Sequence, residues 1–268
     1  MYNTNYNNYN NYNNIIPIAI WQFAIVYVVL IVILIIMKKC KVKKTKLLFI
    51  ASLRMTVQLV LAGLVLTFIL GNPHWAFTVG YLILMTGFAI GMVLWRNKKL
   101  NLKFKIIVAA SLAGTGLAMV AFFILAIVGA NFFNPRYTIP IAGMIIGNAM
   151  TGLTLGLRSF NENLKSNKAQ IEALINIGAT PQKILIPFVN KGLETAILPT
   201  LQSMLGMGII SLPGMMTGQI LSGTVPMTAI LYQISILITI SGVVCLSVFC
   251  SLFFGYRTLY NKRCQIVA

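Results

Sequence analysis

The sequence has no aspartate, only three glutamates (Glu162, Glu172 and Glu194) and a single histidine, His74. Paired carboxylates, zinc ligand sets and hydrolytic triads therefore have almost nothing to be built from. No Gly-Lys pair occurs anywhere in the chain. A phosphate-cradling loop needs a glycine-rich turn ending in Gly-Lys-Ser or Gly-Lys-Thr, so the chain carries no ATPase motif of that kind. The cysteines, Cys40, Cys245, Cys250 and Cys264, include no CxxC and no metal-type spacing, which predicts free thiols. Charge is scarce as well. Only 9% of the 268 residues are charged, against roughly a quarter in soluble domains. These absences exclude an ordinary soluble enzyme.

What is abundant is apolar: 58% of residues are hydrophobic and the mean hydropathy is +0.87. They fall into seven blocks, from Ile15 to Met37, Leu47 to Leu70, Trp75 to Trp95, Ile106 to Ala130, Tyr137 to Leu157, Gly192 to Leu212 and Val225 to Gly255. Each is long enough to span a bilayer as a helix. The expected fold is all-α, a polytopic membrane helix bundle of about seven transmembrane helices over 15–257. An Asn/Tyr-rich run at 1–14 precedes it, without aliphatic side chains after Met1 and expected to be disordered. A short tail, 258–268, follows. The first block has no basic segment before it and runs into KKCKVKK, so it reads as a retained span rather than a cleaved signal.

Net charge is +18. In a soluble chain that balance would suggest nucleic acid; here it fits basic loops held in the cytoplasm beside anionic lipid. No nucleic-acid partner is expected. All but one of the 21 Lys and Arg residues fall on alternate connections, Lys38 to Arg54, Arg96 to Lys105, Arg158 to Lys191 and Arg257 to Arg263. Only Arg136 is left for the other side. The amino terminus is then outside, the carboxyl terminus cytoplasmic, and the span count odd. The one inner connection with structure of its own is 158–191.

Within it Phe160, Leu164, Ile171, Leu174 and Ile175 recur at helical steps, predicting an amphipathic helix. Gly178 supplies a left-handed helix end, and Thr180-Pro181 an N-cap and first-turn proline. The expected outcome is helix, tight corner, helix. Such a corner is either a helix lying in the lipid interface or a docking knob for a cytoplasmic partner.

The run Glu172-Ala173-Leu174, three residues, then Gly178-Ala179-Thr180-Pro181 resembles the EAA-type coupling loop of ABC transporter permeases. In those proteins a short helix sits in a groove of the ATP-hydrolysing subunit. The wider chain is similar to permeases of the iron-export FetB type and their plant aluminium-tolerance relatives. That similarity rests on PRYTIPIAGMIIGNAMTGLTLGL from Pro135, EALINIGATP from Glu172 and SLPGMMTGQILSG from Ser211, and covers Arg54 to Arg257. Leu174 stands where the general loop has a second alanine. The resemblance implies a transport subunit, not an enzyme, that binds no cofactor of its own. It further implies pairing with another copy and with two cytoplasmic ATPase subunits that use ATP, and export of iron or a related metal. Residues 172–174 and 178–181 would carry the ATPase coupling.

Polar side chains inside spans are costly unless paired or facing a cavity. Arg54 and Gln58, Asn148, and Gln202 with Ser203 are therefore candidates for a substrate path or for interhelical hydrogen bonds. Methionines cluster at Met144, Met150, Met204, Met207, Met215 and Met216. Thioethers suit Cu(I) but also serve as flexible apolar filler, and no metal ligand set is assigned. Leu212-Pro213-Gly214 should break the sixth helix. Residues 213–223, with Met215, Met216, Thr217 and Gln219, then form a re-entrant or outer-gate element or an ordinary external loop. Four glycine pairs, Gly87/Gly91, Gly143/Gly147, Gly152/Gly156 and Gly214/Gly218, predict close helix packing. His74, in an outer turn, reads as solvated rather than as a ligand, and Lys191 as an ion-pair partner for Glu194. Three other readings stay open on the residues alone: a seven-helix receptor, an ion-coupled secondary transporter, and an ABC permease for an organic solute.

Overall fold

The computed structural model describes residues 19–72, 74–98 and 100–260. The Asn/Tyr-rich run at 1–14 and most of the tail at 258–268, Cys264 included, lie outside the described residues. In hydrocarbon a backbone N–H or C=O has no water to bond, so an apolar chain satisfies these groups within helices. The described residues accordingly form α1 (Ile20–Lys39), α2 (Thr45–Gly71), α3 (Trp75–Arg96), α4 (Leu102–Phe122), α5 (Pro135–Ser166), α6 (Lys168–Asn176), α7 (Pro181–Gly206), α8 (Gly214–Leu221) and α9 (Pro226–Gly255). A π-helical turn, Phe123–Val128, prolongs α4. Seven of these helices are long and apolar enough to cross a membrane, which bears out the expected all-α multi-pass fold. Cys40, Cys245 and Cys250 are free thiols, the last two within α9.

The described residues divide into two compact units. One holds α1, α2 and residues 218–224. Its two long helices are apolar on all sides and joined by a hydrogen bond of 2.6 Å between the Tyr27 hydroxyl and Thr56 Oγ1. Thr56 Oγ1 also donates to the Ser52 carbonyl.

The other unit is centred on α5, which packs against α3, α4, α7 and α9. Hydrophobic burial gives little drive between helices in lipid, so close packing must hold them. Glycine provides it here. A Cβ on Gly156 would lie 2.9 Å from Val248 Cγ1 and 3.1 Å from the Gly192 carbonyl oxygen. One on Gly192 would lie 3.0 Å from the Gly156 oxygen, and one on Gly152 would lie 2.6 Å from Val244 Cγ1. The antiparallel pair α5/α7 thus touches backbone to backbone, with α9 closing the third side. At the far end of α9 a Cβ on Gly255 would run into the Phe104 ring, itself fully buried and edge-on to Phe160.

Two boundaries differ from expectation. The amphipathic stripe is cut at Asn167, leaving Phe160 and Leu164 on α5 and Ile171, Leu174 and Ile175 on α6. Asn167 Nδ2 donates to the Asn163 carbonyl, a local bond of the sort that competes with helix continuation. The sixth span ends at Gly206 rather than at Pro213, because Met207 is extended and Gly208 adopts φ +83°. Pro213 instead opens α8, its carbonyl accepting from Thr217 N.

Candidate functional site

The turn between α6 and α7 forms as its residues dictate. Gly178 has φ +83°, the left-handed region where a side chain is strained. Gly178 N bonds the Ile175 carbonyl and Ala179 N the Leu174 carbonyl, which closes α6 by a Schellman motif. Thr180 takes the N-cap position of α7 through its backbone, its carbonyl accepting from Ile184 N, without a side-chain cap bond; Pro181 follows in the first turn. Ile171 and Pro181 are buried while Leu174 and Ile175 are half-buried, so the elbow is seated by its apolar side. Its outer side presents Glu172, Ala173, Asn176, Gly178 and Thr180, together with Ile177 at 80% exposure. Ile177 escaped the sequence reading because it falls off the apolar stripe. That misfit was itself the available signal.

Glu172 sits 3.8 Å from Lys168 one turn back, both well exposed. Exposed helical pairs of this kind are worth only about 0.3–0.5 kcal/mol, so the carboxylate can exchange partners at little cost. Glu162 pairs with Arg158, and Glu194 with Lys191 at 2.9 Å as expected. All three acids of the chain are thus bound locally at the surface.

Midway along α5 and α7 lies a polar flank. Ser159 Oγ and Thr195 Oγ1 bond across the two helices at 3.0 Å, which marks a common side. At 100° per residue Asn148 falls within about 20° of Ser159, and Gln202 within about 20° of Thr195. Asn148, Thr151, Gln202 and Ser203 are all exposed. Asn148, Thr151 and Ser203 donate to carbonyls four residues back, leaving their oxygens open as acceptors. Thr151 and the Ser159/Thr195 pair were not singled out from the sequence, where isolated hydroxyls carry little signal.

The remaining candidates lie elsewhere. Arg54 and Gln58 are exposed on α2, in the other unit, on one helical face as their spacing predicted. Met204, Pro213 and Met216 line a cavity of about 550 Å³ with Met207 and Gln233. Gly214 starts α8, and Met215 packs half-buried on the core. Thr217 Oγ1 donates to the Pro213 carbonyl, and the Oε1 of half-buried Gln219 has no hydrogen-bond partner among the described residues. His74 Nδ1 accepts from Ala76 N and so caps α3. Among the described residues no group of three or more His, Cys, Asp or Glu could hold a metal ion.

Seven helices long and apolar enough to span a bilayer, and a glycine-closed centre in the larger unit, define a multi-pass membrane protein. The chain belongs to the uncharacterised protein family UPF0014, which matches it over residues 20–260. It is 32% identical over 215 residues to the probable iron export permease protein FetB of Escherichia coli, covering 80% of this chain and 82% of that one. It is also 32% identical over 232 residues to the UPF0014 membrane protein YjkA of Bacillus subtilis, covering 85% and 90%. Protein ALUMINUM SENSITIVE 3 of Arabidopsis thaliana is 35% identical over 155 residues, 58% of this chain and 56% of that one. No solved structure matches. The family resemblance read from the sequence is thereby confirmed.

Proposed function

We propose that this chain is the membrane-spanning permease subunit of an ATP-driven exporter of iron or a related metal ion. Two copies assemble with two cytoplasmic ATPase subunits. The elbow, Glu172 to Pro181, faces the cytoplasm and takes the push when ATP closes those subunits; the amino terminus is outside.

The observation that carries this reading is the elbow itself. It is a corner turned by a Schellman motif, with its apolar side seated and with Glu172, Ala173 and Ile177 presented outward. It connects directly into α7, which runs on to the polar flank. Such a flank cannot face lipid without a penalty. A second copy closing over it gives a path lined by Asn148, Thr151, Gln202 and Ser203. Amide and hydroxyl oxygens suit a hard or borderline cation, and a set without carboxylates holds it loosely enough to release. Residues 213–223 serve as the outer gate. The export direction and the metal follow the printed name of the Escherichia coli relative.

The test is stimulated ATP turnover in proteoliposomes holding the complex, with and without Fe(II). The double variant Gly178→Pro, Glu172→Lys should still insert in the membrane but lose metal-stimulated hydrolysis. Unchanged stimulation would remove the elbow from the coupling.

A further inference from the structure

Six of the nine residues from Lys38 to Lys46, the link between α1 and α2, are lysine. No Asp or Glu occurs anywhere in residues 1–72, and none of the ion pairs among the described residues involves this link. Like charges this dense repel one another, and any anion that neutralises them comes from outside this helix pair. The link is nonetheless tightly turned. Val42 N bonds the Met37 carbonyl and Lys41 N the Lys38 carbonyl, a Schellman closure of α1 in which Lys41 takes the left-handed position at φ +54°. That turn sets the last turn of α1 beside the first turn of α2.

There the two helices border an open groove of about 470 Å³. Its walls include Ile31 and Ile35 of α1 and Phe49 and Ile50 of α2, and its end is lined by Lys38 and Lys46. Both lysines are exposed, so their ammonium groups are open to a ligand. Helix α2 begins at Thr45 with no capping side chain and no acid in its first turn, which leaves the positive end of its dipole at the same place. From Ile31 to Lys38 α1 rises about 10 Å. Over that length the lining passes from side chains that suit a hydrocarbon chain to side chains that suit an anion.

We propose that this groove seats one anionic glycerophospholipid, with an acyl chain along Ile31, Ile35, Phe49 and Ile50 and the phosphate between Lys38 and Lys46. A free phosphate ion would use the two lysines and leave the apolar walls bare. A neutral hydrocarbon would cover the walls and leave the ammonium groups without a counter-charge. The four apolar wall residues are each more than half exposed, on helices long and apolar enough to cross a membrane, where lipid is the neighbour. Basic clusters beside a span attract anionic headgroups in general; the groove adds a place for one lipid at defined residues. The site does not depend on which solute the protein transports.

The test titrates the full chain, purified in detergent, with phosphatidylglycerol or with phosphatidylcholine of the same acyl chains, and counts bound lipid by native mass spectrometry. One phosphatidylglycerol should bind saturably per chain, about tenfold more tightly than phosphatidylcholine. Lys38→Gln/Lys46→Gln should reduce that preference about fivefold or more, and Lys38→Arg/Lys46→Arg should keep it. Lys39→Gln/Lys43→Gln removes the same charge from the same link but outside the groove, and should leave the preference within about twofold. Millimolar glycerol 3-phosphate should not displace the lipid. Equal losses in the two Gln variants would reduce the link to a diffuse basic patch and overturn the proposal. So would equal binding of the two lipids, or displacement of phosphatidylglycerol by glycerol 3-phosphate.

Discussion

The α5/α7/α9 seam and the 168–180 elbow, which links α5 to α7 through α6, are built on opposite terms. In the seam, glycine carbonyls and valine methyls leave no space for another carbon: Gly152, Gly156 and Gly192 are all met within 3.0 Å. In the elbow a Cβ added to Gly178 would meet nothing within 4 Å among the described residues beyond its chain neighbours, and the outer side is open. Glycine serves proximity in the first place and backbone conformation in the second. The contrast separates a closely packed part from an accessible part, which is the division the proposed coupling needs.

The comparison can be broken most forcefully at the seam. Gly156→Leu should cost about 3 kcal/mol or more through overpacking, read as a large fall in the thermal midpoint of the detergent-purified protein. Near-wild-type stability would mean the helices are not closed there. At the elbow, Gly178→Ala should cost about 1–2 kcal/mol for its left-handed backbone. The loss should be confined to faster hydrogen exchange in α6, with the seam amides unchanged. Ile177→Ser should leave stability within about 0.5 kcal/mol yet reduce ATPase stimulation, whereas a purely structural elbow would show no functional change. Smallest of all should be Gly87→Ala with Gly91→Ala. These glycines have no atom within 4 Å of a new Cβ, and alanine favours a helix, so the thermal midpoint should hold or rise slightly.

That last pair shows where the sequence stops being legible. Gly87/Gly91 and Gly152/Gly156 have the same spacing, but only the second pair closes a helix contact within the described chain. Four-residue spacing reports which face a residue occupies and says nothing of what stands opposite. Spans were readable because apolar length is a local property, and Gly178 was readable because left-handed backbone selects glycine wherever it occurs. The break after α7 was misplaced because proline was given priority over Gly208, although proline is tolerated where a helix begins. His74 looked like a solvated side chain, and its capping bond depends on the turn geometry before Trp75. Asn148 and Gln202 were picked out singly. Their common flank became visible only through the Ser159–Thr195 bond between helices.

Helix α7 runs without a break from the corner at Pro181 to Gly206. At 1.5 Å per residue, Thr180 and Gln202 stand about 33 Å apart along one axis. A rod of that length behaves as a lever arm: tilting its base by about five degrees sweeps its tip through about 3 Å, the width of a water molecule. Pro187 and Pro199 each remove one rung of the helical ladder between those points, so the stroke can bend on its way. In the proposed transport cycle, the span from elbow to polar flank therefore sets the ratio of base tilt to tip travel.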